Sequence, residues 1–196
     1  MGKYNINSIK RKVLKSRAFT KGATRKVNQS LIKAKSLMLN DFDSHPVSKE
    51  ISQGAEGRNL SNTLGGYGNL FSFIGFGSGS SPITDVRNIL AQYPDISNIR
   101  MSGSKLVVDI SIPTLNDLAL ASRMPWESGR SWVSGVETGI SGFSNYMYNV
   151  FGEGSKSRSG KAVQASKQIR PGSYRPVPYV SEIIKKLVIN ITAGIK

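Results

Sequence analysis

Apolar positions in the first quarter of the chain recur at helical spacing. From Thr24 onward, Val27, Leu31, Ala34, Met38 and Phe42 fall on one face and lysines on the other. This predicts a helix of about 19 residues, roughly 28 Å long. It stops before His45-Pro46, because a residue preceding proline disfavours the α region. Upstream, Ile6, Ile9, Val13 and Leu14 predict an amphipathic turn or two that ends near Gly22. Residues 48–69 have the polar, Gly- and Asn-rich texture of a loop. Residues 69–76 read Asn-Leu-Phe-Ser-Phe-Ile-Gly-Phe, which predicts an aromatic strand covered on both faces.

After a Gly/Ser loop, Ser81-Pro82 reads as an N-cap followed by proline at the first helical position, opening a helix to about Tyr93. Residues 96–101 and 105–112 predict a hairpin across Ser102-Gly103-Ser104, with Leu106, Val108, Ile110 and Ile112 alternating toward a core. Pro113 ends it. Thr114 and Asp117 form an imperfect capping box before a short helix over 115–124. Residues 131–142 read as an irregular strand, with glycines at 135, 139 and 142 marking bulges. Residues 179–195 predict a closing helix with Glu182 and Lys186 at i,i+4, although its β-branched tail also suits a strand. The predicted class is α+β: a long N-terminal helix and a C-terminal helix packed on a small, mostly antiparallel sheet. Residues 1–23 form a basic arm and 24–196 one domain, with long Gly/Ser-rich loops near 52–68 and 152–173.

Composition narrows the chemistry. The chain of 196 residues suffices for one domain plus an arm. It has no cysteine and one histidine, His45, which argues against thiolate catalysis, Cys-ligated metals and a Ser–His–Asp triad. Purely aliphatic runs reach only the length of Leu37-Met38-Leu39, and the first residues lack an apolar signal region, so a soluble cytoplasmic protein is expected. Lys and Arg total 27 against 12 Asp and Glu, for a net charge of +15. That excess is segregated. Residues 1–40 hold eleven basic side chains and no acid, residues 154–181 are again basic without an acid, and the middle is close to balance. Such a field suits a polyanion, with Lys10, Arg11, Lys12, Lys15, Arg17, Lys21, Arg25 and Lys26 as the residues expected to face it. Six phosphate contacts would make log affinity fall with log salt at a slope of roughly −5.

Catalytic signatures are lacking. Gly65-Gly66-Tyr67-Gly68 and Gly75-Phe76-Gly77-Ser78-Gly79 invite a phosphate-loop reading, but neither ends in Gly-Lys-Ser/Thr, and Ser80 stands where a dinucleotide loop has its third glycine. Nothing fixes the separation of Glu127, Glu137 and Glu153 as paired carboxylates. His45 reads as a helix-end residue. No enzyme, cofactor or metal site is expected. Aromatic residues crowd between Trp126 and Phe151, interleaved with Gly and Ser. Core packing is their default role, followed by a subunit interface and then base stacking. The interface reading selects Phe71, Phe73, Phe76, Trp126, Arg130, Trp132 and Tyr174.

Four segments carry a resemblance. They are His45-Pro46-Val47-Ser48-Lys49-Glu50-Ile51 after the Lys-rich helix, the run from Gly65-Gly66-Tyr67-Gly68-Asn69 to Phe76, Trp126-Glu127-Ser128-Gly129-Arg130-Ser131-Trp132-Val133, and Tyr174-Arg175-Pro176-Val177-Pro178-Tyr179. Together with Ser157-Arg158-Ser159-Gly160, their order resembles the neck, tail-completion or tail-terminator virion proteins of tailed bacteriophages. The resemblance implies a non-enzymatic ring, of roughly six or twelve copies, that joins the head or connector to the tail around the DNA channel. It implies contacts with neighbouring neck, connector or tail proteins, DNA nearby in the lumen, no membrane partner, and a location in the virion after assembly in the host cytoplasm. Loops 52–68 and 76–81 would then order on an adjacent ring. The alternative is a basic nucleic-acid-binding protein that uses its N-terminal arm.

Overall fold

The computed structural model describes residues 6, 8, 12, 13, 16–65, 68–102, 105–125, 129–139, 146–148, 162–164 and 175–195. The chain is α+β. Its helices are α1 (Arg17–Ser44), α2 (Pro46–Ser52), α3 (Leu70–Ile74), α4 (Pro82–Gln92), α5 (Leu115–Ala121), α6 (Trp132–Thr138) and α7 (Val180–Ile195). Its strands are β1 (Asp95–Ser102), β2 (Lys105–Ser111), β3 (Tyr146–Tyr148) and β4 (Ala162–Gln164).

Helix α1 starts where the Ser16 hydroxyl accepts the Phe19 N–H at 3.2 Å. It runs 28 residues, about 42 Å. The break expected near Gly22 is absent, and the helix crosses the anticipated boundary between arm and domain. One mid-helix glycine costs only about 1 kcal/mol. The buried face Val27, Leu31, Ala34, Met38 and Phe42 anchors the helix downstream. Pro46 then forces His45 into an extended conformation, φ −62° and ψ 137°. His45 Nδ1 accepts the Val47 N–H at 3.2 Å and so caps α2.

Helices α1 and α7 lie antiparallel. At one end Ser30 Oγ donates to the Gly194 carbonyl at 2.9 Å, and at the other the Phe42 and Tyr179 rings stack with centroids 5.7 Å apart. A Cβ on Gly194 would sit 3.2 Å from the Ser30 side chain, so any larger residue here would require Ser30 to shift by a few tenths of an ångström. The remaining core closes over the pair: Ile51, Leu64, Leu70, Ile74, Leu90, Leu118 and Trp132 are all buried.

The predicted hairpin is present. Strands β1 and β2 pair antiparallel from Asp95↔Ser111 to Ser102↔Lys105, with a bulge between Ile96 and Asn98. Ile96, Val108 and Ile110 pack on the core. The Thr114–Asp117 capping box forms fully, each side chain accepting the other's backbone N–H. A second antiparallel pair, β3 with β4, was not predicted, and its strands of three residues are too short to show a period.

Two predicted strands are helices. Residues 70–74 form α3 because the Asn69 side chain accepts the Ser72 N–H at 2.9 Å and Gly75 ends the turn at φ 88°. Residues 132–138 form α6 by the same device: Ser131 Oγ accepts the Ser134 N–H at 3.1 Å and Gly139 closes at φ 101°. Local capping overrides β propensity in both segments.

Nothing lies within 4 Å of a Cβ built on Gly22. Gly22→Ala is therefore expected to stabilise the first half of α1 by about 0.5–1 kcal/mol. Slower amide exchange over residues 18–26 would register the gain, and unchanged or faster exchange would contradict a continuous helix there.

Candidate polyanion and assembly surfaces

The aromatic residues selected as an interface are mostly interior. Phe71, Phe76 and Trp132 are buried, and Phe73 is half-buried against the same core. Their rings form a chain: Phe71 to Phe76 at 5.4 Å, Phe76 edge-on to Trp132 at 6.0 Å, and Trp132 to Tyr179 at 6.3 Å. Such pairs are worth about 0.5–1.5 kcal/mol each beyond area burial. These three residues are thus corrected from subunit interface to core, because helices α3 and α6 turn them inward. Arg130 is exposed, while Trp126 and Tyr174 lie outside the described residues.

Tyr179 stands at the centre. Its hydroxyl shares a 2.6 Å hydrogen bond with Ser48 Oγ, and its ring faces His45 at 4.7 Å as well as Phe42. Burial raises its pKa far above the ordinary range, so it stays neutral. Beside it, a cleft of ≈ 250 Å³ opens between α1, α2 and α7, lined by Asp41, His45, Glu182 and Lys186 among others. Burial pushes the His45 imidazole below its ordinary pKa of 6.5, opposed by a hydrogen bond with the Pro178 backbone and by the field of Glu182, with Lys186 adding to the depression.

Loop 53–69 is fixed to its own chain. The buried Glu50 carboxyl accepts three backbone N–H groups: Leu60 at 3.0 Å and Ser61 at 2.7 Å on one oxygen, and Leu70 at 2.7 Å on the other. Asn69 Nδ2 donates to the carbonyls of Gly54, Ala55 and Gly57 at 3.2, 2.8 and 2.7 Å. The described residues of this loop thus find polar partners within their own chain. Likewise Gly75 caps a helix, so the Gly75–Gly79 run does not follow a strand as a dinucleotide loop would. Neither Glu50 nor Asn69 was selected from the sequence. A Glu inside a short helix before a Gly/Asn-rich loop was their only signal.

The cations behave differently. Arg17, Lys21, Arg25 and Lys26 are exposed along the first ten residues of α1, and Lys12 upstream is exposed too. Lys10, Arg11 and Lys15 lie outside the described residues. Arg17, Lys21 and Arg25 line one shallow, open groove whose described lining comes from α1 alone, whereas Lys26 does not. The polar neighbours Asn28 and Gln29 in that groove were not selected, although their place on the same helical face was readable from spacing. Among the described residues the ion pairs are Arg87–Asp43, Arg100–Asp109 and Lys186–Glu182, none with a cation of α1. Lys35, nearer the body, donates from Nζ to the Ala91 carbonyl at 2.9 Å.

Among the described residues no group of three His, Asp or Glu side chains could hold a metal ion, and no helix is long and apolar enough to cross a membrane. No protein-family model, curated protein or solved structure matches the chain.

Glu50→Gln leaves one acceptor oxygen and turns an amide N–H₂ toward backbone donors. It should destabilise the fold by about 2–4 kcal/mol in urea unfolding, while exposed Glu56→Gln changes little. A silent Glu50→Gln would remove the role given to this carboxyl.

The depressed His45 pKa makes the unfolded chain bind the extra proton first. Stability is then full above pH 6.5 and declines as pH falls through the lower folded value. Melting temperature should drop as pH falls below about 6.5, and His45→Asn, which keeps the cap on Val47, should flatten that drop. Equal slopes in the two proteins would exclude His45 as the titrating group.

Proposed function

We propose that this chain is a structural virion protein of a tailed bacteriophage, forming a ring in the neck or at the head-proximal end of the tail that joins head to tail around the DNA channel. It acts by shape and assembly, without a reaction of its own. One observation carries the reading: segments that resemble neck and tail-completion proteins, far apart in sequence, meet in space. Ser48 and His45 touch Tyr179, Glu50 holds Leu70, and Phe76 and Tyr179 both meet Trp132. Packing couples the positions at which these segments touch, as a shared fold would require.

With Phe71, Phe76 and Trp132 spent in the core, the repeated head-to-tail contact of a ring falls to apolar groups that face solvent in the single chain. Among the described residues Ile6, Ile32 on α1, Leu115 and Leu120 on α5, and Ile189 on α7 are each 60% exposed or more. Substitution of Phe71 or Trp132 would abolish incorporation by unfolding the subunit, so it does not probe the interface. A second reading, a nucleic-acid-binding protein working through its N-terminal arm, is favoured by the exposed cations of α1, which form no ion pair among the described residues.

Quantitative mass spectrometry of density-purified particles tests the first reading. The expected result is a small fixed copy number, roughly six or twelve per virion, as closed cyclic symmetry requires. Absence from particles, with tight salt-sensitive binding by the isolated chain, would transfer the assignment to the second reading.

A further inference from the structure

We infer that the groove along the N-terminal half of α1 is a binding site for the phosphate backbone of duplex DNA. The inference deepens the neck reading and rests on it only for the choice of DNA among polyanions.

The site is built by helical arithmetic. Arg17, Lys21 and Arg25 follow one another at four-residue intervals, each step advancing about 6 Å along the axis and about 40° around it. They form a row of about 12 Å, which spans three to four phosphates of one strand at about 3.4 Å of axial rise each. Asn28 and Gln29 line the same groove and supply neutral donors suited to phosphate oxygens, and Ile32 closes its lower end. All six side chains are exposed.

Among the described residues no ion pair neutralises that row. The first acid in the chain is Asp41, 16 residues past Arg25 and about 24 Å along the helix. The first turn of α1 holds no acid either, so the positive end of the helix dipole adds to the field of Arg17. Because α1 is anchored from Val27 onward, the row is presented on a formed helix rather than on a chain that must order on binding.

A second copy of this chain offers little to match it. Six of the ten described acidic side chains already have partners in their own subunit. Glu50 holds loop 53–69, Asp43 and Asp109 pair with Arg87 and Arg100, Asp117 caps α5, Glu137 accepts the Ser181 N–H at 2.6 Å, and Glu182 pairs with Lys186. The remaining Asp41, Glu56, Asp85 and Asp95 are dispersed over the sequence. The complementary charge has to come from outside, in a repeating array, and a phosphate backbone supplies it.

The test uses the full chain and a fluorescent duplex of mixed sequence, with anisotropy titrations between about 50 and 200 mM salt. One variant carries Arg17→Gln, Lys21→Gln and Arg25→Gln. Its control carries Lys26→Gln, Lys33→Gln and Lys49→Gln, which remove the same charge outside the groove lining. Glutamine preserves helix propensity and all six positions are exposed, so circular dichroism should match the wild type in both. The groove variant should show a log–log salt slope shallower by roughly 2.7 and, near 0.1 M salt, an affinity lower by on the order of 100-fold. The control should change the slope by about one unit or less. Equal losses in both variants, or competition by poly-glutamate as effective as that by DNA, would overturn the site. Particle copy number is read separately. Groove-dependent binding by a chain absent from virions removes the neck reading and keeps the site; incorporation without groove dependence does the reverse.

Discussion

A carboxyl group withdrawn from water needs hydrogen-bond donors for both oxygens, and Glu50 finds three in the backbone of the segment that follows it. That requirement ties α2 to the loop beyond it and to the first residue of α3. Without donors, burial of the group would be prohibitive. With them, Leu60, Ser61 and Leu70 are held in one arrangement, and Asn69 gathers the carbonyls of Gly54, Ala55 and Gly57 on the other side. A stretch rich in glycine and asparagine, poor in apolar anchors, is thus ordered by two polar side chains.

The position of α3 has consequences for the centre of the molecule. Once Leu70 is fixed, Phe71 packs on Phe76, Phe76 meets Trp132 edge-on, and Trp132 meets Tyr179 just before α7. Tyr179 also closes the junction of α1 and α2 through Phe42, His45 and Ser48. Elements from both ends of the chain therefore share one aromatic core, and the close approach of Ser30 and Gly194 extends the α1–α7 contact to the far end of α7.

Charge is divided along the same lines as structure. Most described acids of the body serve as caps or ion-pair partners within it, whereas the cations at the start of α1 project beyond the packed part of that helix. Arg17, Lys21, Arg25 and Lys26 thus concentrate positive field at one end of a 28-residue helix. This division is what makes an assembly protein with a polyanion partner a coherent physical reading.

Periodicity by itself determined the long elements. The face Val27–Phe42, the closing helix, the alternating hairpin and the Thr114–Asp117 cap were legible because each signal is local and repeats over several turns or pairs. The excess of cations in residues 1–40 was legible too, but not the stripe Arg17, Lys21 and Arg25, because a helix end was expected near Gly22. Residues 69–76 and 131–142 misled, because aromatic and β-branched content outweighed a quieter signal: a capping Asn or Ser followed, six or eight residues later, by glycine. Only tertiary structure decided that Phe71, Phe76 and Trp132 are interior, that Glu50 is buried, and that the loop after it is fixed. Those outcomes depend on which donors and rings arrive from distant segments, and a single sequence does not encode such pairings in any local pattern.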